Sequence, residues 1–176
     1  MATEPWRNPR PAPSLDEVRD RVPPQIMFLA LLRAWWPALV WSSLIYCAST
    51  DALSSSHTSR FIVPALHWLF PSMSLDAIDF VHHLIRKAAH FVEYFIFFLL
   101  VYRGVRAGRK GFHWSWALTA WAVAAIYSLS DEFHQTFIPS RGASIWDSLL
   151  DSVAAFVALI AIFFVYRYYR RARATA

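Results

Sequence analysis

The chain has one cysteine, Cys47, among 176 residues. A single thiol builds no intramolecular disulfide framework and no thiolate metal cluster. Set in an apolar run, Cys47 reads as a small packing residue. There are only four glycines, and no P-loop or dinucleotide-binding pattern is among them. No HExxH or similar metal-ligand spacing, no Ser/His/Asp nucleophile elbow and no internal repeat is present. Charge is scarce as well: Asp, Glu, Lys and Arg make up 16% of the chain, against about 25% in ordinary soluble domains. The first thirty residues are Pro-rich and mixed in charge, without the small-residue cleavage site of a secretory signal.

What the chain has instead is apolar surface. Hydrophobic residues make up 57%, with nine Trp, fourteen Phe and seven Tyr; that richness in aromatics suits lipid contact and interfacial anchoring. The composition is that of a membrane protein whose immediate partner is the bilayer. The net charge of +5 would suit nucleic acid, but its distribution excludes that reading. Arg and Lys cluster in the N-terminal tail, at Arg103–Lys110 and at Arg167–Arg173, beside apolar runs, as in cytoplasmic flanks facing anionic lipid.

The length suits one domain. Residues 1–24 hold six of the ten prolines and read as a flexible cytoplasmic tail. Residues 25–168 read as a single four-helix membrane domain, and 169–176 as a basic cytoplasmic tail. The expected fold is an all-α membrane protein with transmembrane helices at about 27–47, 75–102, 114–130 and 145–166. In the first, Arg33 can snorkel, Pro37 predicts a kink, and Trp35, Trp36 and Trp41 are anchors. Residues 48–74 are too polar and too broken to span; Arg60–Phe70 is short and interrupted by Pro64, which predicts an external interfacial or re-entrant piece. Serines 54–56 read as turn and solvation residues. Four spans put both termini on one side, and the basic flanks make that side cytoplasmic. Loops 48–83 and 131–144 then face outward.

The second helix has a Ser74 N-cap and a polar stripe. Asp76, Asp79, His83, Arg86, Lys87, His90 and Tyr94 follow i, i+3, i+4 spacing within about a 100° arc, with Glu93 beside it. The stripe enters from the outer side and stops partway. Arg86 and Lys87 run against the charge bias of an external flank, which points to specific partners; the plain alternative is pairing along the same helix with Asp76, Asp79 or Glu93. Asp131 and Glu132 close the third helix at the negative end of its dipole, where carboxylates call for a cation. Tyr127, Asp131 and Gln135 share a face, flanked by Ser128 and His134. Ser144 and Asp147 have capping-box spacing, so Asp147 is expected to cap the fourth helix. Asp151 lies one turn deeper, too far in for a cap. Asp151, Ala154, Ala158 and Ala161 share one side, and the alanines permit close helix approach.

Arg86-Lys87-Ala-Ala-His90-Phe-Val-Glu93-Tyr94, then Asp131-Glu132-Phe-His-Gln135 through Pro139-Ser-Arg141-Gly142 to Asp147, with the serine-rich loop and the basic Arg103 region, resembles the VanZ-like family of bacterial membrane proteins. The resemblance covers about residues 27–166. It departs at Asp151, where Asn is expected, and at Ala155, where Gly is common. It implies a four-span protein of the bacterial inner membrane, in a family whose founding member is associated with teicoplanin-type glycopeptide resistance.

The combined expectation is an outward-facing polar pocket. Arg86, Lys87 and Arg141 would hold an anionic group of a lipid-linked envelope precursor or other amphipathic ligand. Glu93, Tyr94, Gln135, Asp147 and Asp151 would line it, and His90, Asp131 and Glu132 would move protons. No metal ligand or cofactor is assigned. Two other readings stand beside it: a non-enzymatic structural or partner-binding protein locked by its charges, and a small transporter or proton relay.

Overall fold

The computed structural model describes residues 24–50, 55–139 and 141–175. The expected tail before residue 24, residues 51–54 of the serine-rich loop and Ser140 lie outside them, as do the side chains of serines 55 and 56. The described residues form five helices and no strand: α1 (Pro24–Ala48), α2 (Ser55–Leu69), α3 (Leu75–Arg106), α4 (Trp114–Gln135) and α5 (Ile145–Ala174).

Most of the helices outrun their expected bounds, for local reasons. Ser74 caps α3 as expected, its hydroxyl accepting from the Ala77 N–H at 3.3 Å. The far end of α3 continues past residue 102 to Arg106 and stops at Ala107, which takes a left-handed conformation (φ 47°). α4 continues past residue 130 to Gln135, because no breaker precedes Pro139. Asp131 and Glu132 therefore sit inside its last turns. α5 continues past residue 166 through the whole basic run to Ala174; Arg and Tyr there are tolerated helix residues with no Gly or Pro among them. The expected interfacial or re-entrant piece at Arg60–Phe70 falls largely within α2, a continuous 15-residue helix with Pro64 inside it.

α3 is the centre of the bundle. It packs on α1, α4 and α5, α4 packs on α5, and α2 rests on α3. Its buried face is Tyr94, Phe97, Phe98, Val101 and Tyr102. Ala117, Ala120 and Ala124 of α4 and Ala154, Ala155 and Ala158 of α5 are all fully buried, and methyl side chains at three- and four-residue spacing let helices approach closely. Trp41 Nε1 donates to the Glu93 carbonyl at 3.0 Å, Trp121 Nε1 to the Ser152 carbonyl at 3.0 Å and Tyr127 Oη to the Ser42 carbonyl at 2.6 Å, each bridging two helices.

The α1–α3 joint solves a backbone problem. Pro37 lies inside α1 and has no N–H, so the carbonyl four residues earlier, that of Arg33, loses its helical donor. Arg103 supplies the replacement: Nη2 donates to Arg33 O and Nη1 to Ala34 O, both at 2.9 Å. One residue on, Gly104 faces the Trp35 indole so closely that a Cβ there would lie 2.8 Å from a ring carbon.

The outside of the bundle is apolar. Leu29, Trp36, Leu39 and Leu44 of α1, Ile126 and Leu129 of α4, and Leu149, Phe156 and Phe164 of α5 are exposed, while Ser128, Ser148 and Asp151 are buried. Two helices, α1 over Gln25–Ala48 and α5 over Ile145–Ala174, are long and apolar enough to cross a membrane.

Candidate functional site

α1 and α4 run one way along the bundle and α3 and α5 the other. The C-terminal ends of α1 and α4 therefore meet the N-terminal halves of α3 and α5. Ten of the eleven residues singled out in the sequence fall into three groups at this polar end, and the eleventh, Glu93, lines a cavity beside them.

The first group is centred on Asp131, which is 5% exposed. Its Oδ2 accepts from Ser49 Oγ at 2.8 Å and from Gln135 Nε2 at 3.1 Å. The shared face of Asp131 and Gln135 is thus real, and it grips the end of α1. Arg141 reaches the same place: its Nη2 donates to the Ala48 carbonyl and, at 2.8 Å, to the Thr50 carbonyl. A cation on the last carbonyls of a helix satisfies orphan acceptors and complements the dipole. His134 packs its ring on Tyr46, centroids 4.7 Å apart.

The second group joins α3, α4 and α5, and corrects the expected cap. Ser144 makes no side-chain capping bond. The N–H that a capping-box carboxylate at Asp147 would have taken is instead bound by Glu132 Oε2 of α4, at 2.8 Å. Relieved of that task, Asp147 pairs with Lys87 of α3. Lys87 is therefore matched across helices, not along α3. Arg86 Nη1 likewise reaches across, to Thr58 Oγ1 of α2 at 3.3 Å, and the buried His82 lies 3.5 Å from the same hydroxyl.

The third group is the deepest. Asp151 is fully buried, and its Oδ2 accepts from Ser128 Oγ at 2.9 Å. Ser128 Oγ also lies 3.1 Å from Ser148 Oγ. The other oxygen, Oδ1, faces His90 Nδ1 at 3.8 Å, and among the described residues neither atom has a hydrogen-bond partner. Tyr94 is fully buried one turn further along α3. Because Ser128 donates to the carboxylate and not to an imidazole nitrogen, the trio is no Ser–His–Asp relay. Neither Asp131 nor Glu132 bonds to His90; its carboxylate neighbour is Asp151.

Beside these groups the surface is hollow. A cavity of about 200 Å³ between α1, α2 and α3 is walled by Ile62, Ile85 and Ala89 and presents Arg86, His90, Glu93 and Arg141. A second of about 330 Å³ adjoins it, sharing Arg86 and His90 and adding Lys87, Asp79 and Asp147. Tyr94, Gln135, Asp131, Glu132 and Asp151 line neither cavity. Sequence reasoning missed Ser49, Thr58 and Ser148. The only signal for Ser148 is its place three residues before Asp151; nothing marked the other two.

Inward polar groups, an apolar exterior and five helices define an all-helical membrane protein. Within that class the VanZ/LLP1 family model matches residues 30–166, and the chain belongs to that family, as its paired motifs led us to expect. No curated protein and no solved structure matches it.

Proposed function

We propose that this VanZ-family protein is a four-span protein of the bacterial inner membrane that binds an anionic amphiphile, such as a lipid-linked envelope precursor, in the paired cavities of its polar end. α3 and α4, at about 48 Å and about 33 Å by helical rise, have the length for the two further spans. Both termini are cytoplasmic in this reading, because the arginines after α3 and along the end of α5 lie at the end opposite the cavities. The polar end then faces outward. α2, which exposes Phe61 and Trp68 at 78% and 79%, lies in the interface beside the cavities. Residues 25–168 form the membrane domain, with the tails on either side of it cytoplasmic.

The observation that carries the reading is the mixed lining of the 200 Å³ cavity, with Arg86 and His90 facing Ile62, Ile85 and Ala89. A cation on an apolar wall suits an anionic head joined to a hydrocarbon tail. Lys87 and Asp147 stand at the adjoining opening. Any proton transfer falls to His90, with Asp151 orienting it through Nδ1 and leaving Nε2 for a ligand; bonds of this kind are often long before a ligand binds. A contribution to teicoplanin resistance belongs to the same proposal.

A specific observation favours a second role for the rest of the network. Asp131, Glu132 and Arg141 each bind a polar group across an inter-helix or helix-loop joint, Gln135 braces Asp131 from the same helix, and the four are read as locking the helices. The relay reading has less support: below Tyr94 the buried face of α3 is Phe97, Phe98 and Val101.

The test is a titration of the purified protein with farnesyl phosphate, an anionic isoprenoid, and with farnesol, which lacks the phosphate. Arg86→Gln is expected to weaken farnesyl phosphate binding at least tenfold, with its melting temperature kept. Asp131→Asn is expected to lower stability and leave the binding of the folded fraction intact. Equal binding of both ligands, or no effect at Arg86, rules the proposal out.

A further inference from the structure

The opposite end of the bundle holds a separate cleft of about 500 Å³ between α1 and α3. Ile26, Leu29 and Ala30 of α1 form its apolar wall, and Arg33, Arg103 and Arg106 border it. Among the described residues no carboxylate lines it. Arg103 is committed to the α1 carbonyls at the Pro37 gap. Arg33 and Arg106 make no ion pair among the described residues. Two basic residues in the last turn of α3 already exceed the half charge of its dipole, so Arg33 is not needed to offset that end.

We propose that this cleft binds one anionic phospholipid, its phosphodiester held between Arg33 and Arg106 and an acyl chain laid along Ile26, Leu29 and Ala30. The guanidinium fork matches phosphate oxygens in bidentate fashion. The wall selects a lipid over free phosphate, because Ile26 and Leu29 are each 57% exposed and a bare anion would leave them uncovered. The cleft shares no residue with the polar-end cavities, so this site stands or falls independently of the proposed ligand there. Its shape is fixed by the neighbouring joint, where Arg103 pins α3 to α1.

Native mass spectrometry of the full-length protein in detergent tests this, with dioleoylphosphatidylglycerol, dioleoylphosphatidylcholine and inorganic phosphate as probes. The wild type is expected to retain one phosphatidylglycerol with at least tenfold preference over phosphatidylcholine. Arg33→Gln/Arg106→Gln is expected to abolish the preference. Arg170→Gln/Arg171→Gln, which removes the same charge from exposed positions of α5 at the same end, is expected to keep it within twofold. Arg106→Lys retains charge but loses the fork, is the milder variant should the double fail to fold, and is expected to bind several-fold more weakly. Equal losses in the two double variants would mean diffuse attraction and overturn the site. So would displacement of the lipid by millimolar phosphate, or unchanged binding in Arg106→Lys.

Discussion

Replacing Arg103 by Met removes the donors that stand in for the missing N–H of Pro37 and keeps much of the side chain's apolar stem. Hydrogen bonds from a charged donor contribute about 1.5–3 kcal/mol when sheltered. Arg103 is exposed, so water competes, and interhelical bonds in membranes average about 0.6 kcal/mol with a ceiling near 1.7. For two bonds of 2.9 Å, the expected cost of Arg103→Met is about 1–2 kcal/mol. In a Pro37→Ala background the new amide takes back the Arg33 carbonyl, and Arg103 retains only its bond to Ala34 O. The cost should then fall to about half, a coupling of about 0.5–1 kcal/mol in a double-mutant cycle. Reversible unfolding in mixed micelles, or steric trapping in bicelles, measures all four stabilities. Additive effects, with coupling below about 0.3 kcal/mol, would refute the account of Arg103 as the substitute donor.

At Gly104, alanine drives a methyl into the Trp35 indole and should cost about 1–3 kcal/mol; Trp35→Leu should recover much of it in the same unfolding assay. Ser128→Ala leaves Asp151 Oδ2 without its 2.9 Å donor and should cost about 1–3 kcal/mol, while Ser128→Thr, which retains the hydroxyl, should cost less. Glu132→Ala uncaps the Ser144 N–H and should destabilise by about 0.5–2 kcal/mol, whereas Asp147→Ala, which breaks a partly exposed pair, should cost no more than about 1 kcal/mol. If Asp147→Ala proves the more damaging, the cap has been assigned to the wrong carboxylate. For topology, in a Cys47→Ser background Gly142→Cys should react with an impermeant maleimide added to intact spheroplasts, and Gly108→Cys only after lysis; the reverse pattern would invert the orientation.

The sequence disclosed what depends on one helix at a time. The Ser74 cap, the stripe from Asp76 to Tyr94 and the shared face of Asp131 and Gln135 follow from helical periodicity, and all are present. The alanines of α5 announced a close neighbour and have one. What could not be read is which group on one helix meets which on another. Ser144 and Asp147 have capping-box spacing, yet the cap comes from Glu132, because the turn after α4 folds its carboxylate back over the start of α5. Arg141, expected beside the anion pocket, lines the smaller cavity and also donates to carbonyls at the end of α1, far away in sequence. Arg86 and Lys87 had acids within reach on their own helix and took partners on α2 and α5 instead. Such choices depend on the relative depth and rotation of packed helices, which no single-helix pattern encodes. The helices run past their apolar stretches for a related reason: hydropathy marks burial, whereas backbone hydrogen bonding continues until the chain is stopped, as at the left-handed Ala107 after α3.

In the proposed function the polar end accepts an anionic amphiphile through Arg86 and the apolar wall beside it. Ala89 is exposed and lines that cavity, so a p-benzoylphenylalanine placed there can be photo-crosslinked in living cells and its adduct weighed. The expected adduct is a single phosphate- or carboxylate-bearing lipid, captured with Arg86 present and lost in Arg86→Gln. An adduct only with bulk zwitterionic phospholipid, or one indifferent to Arg86, would contradict it.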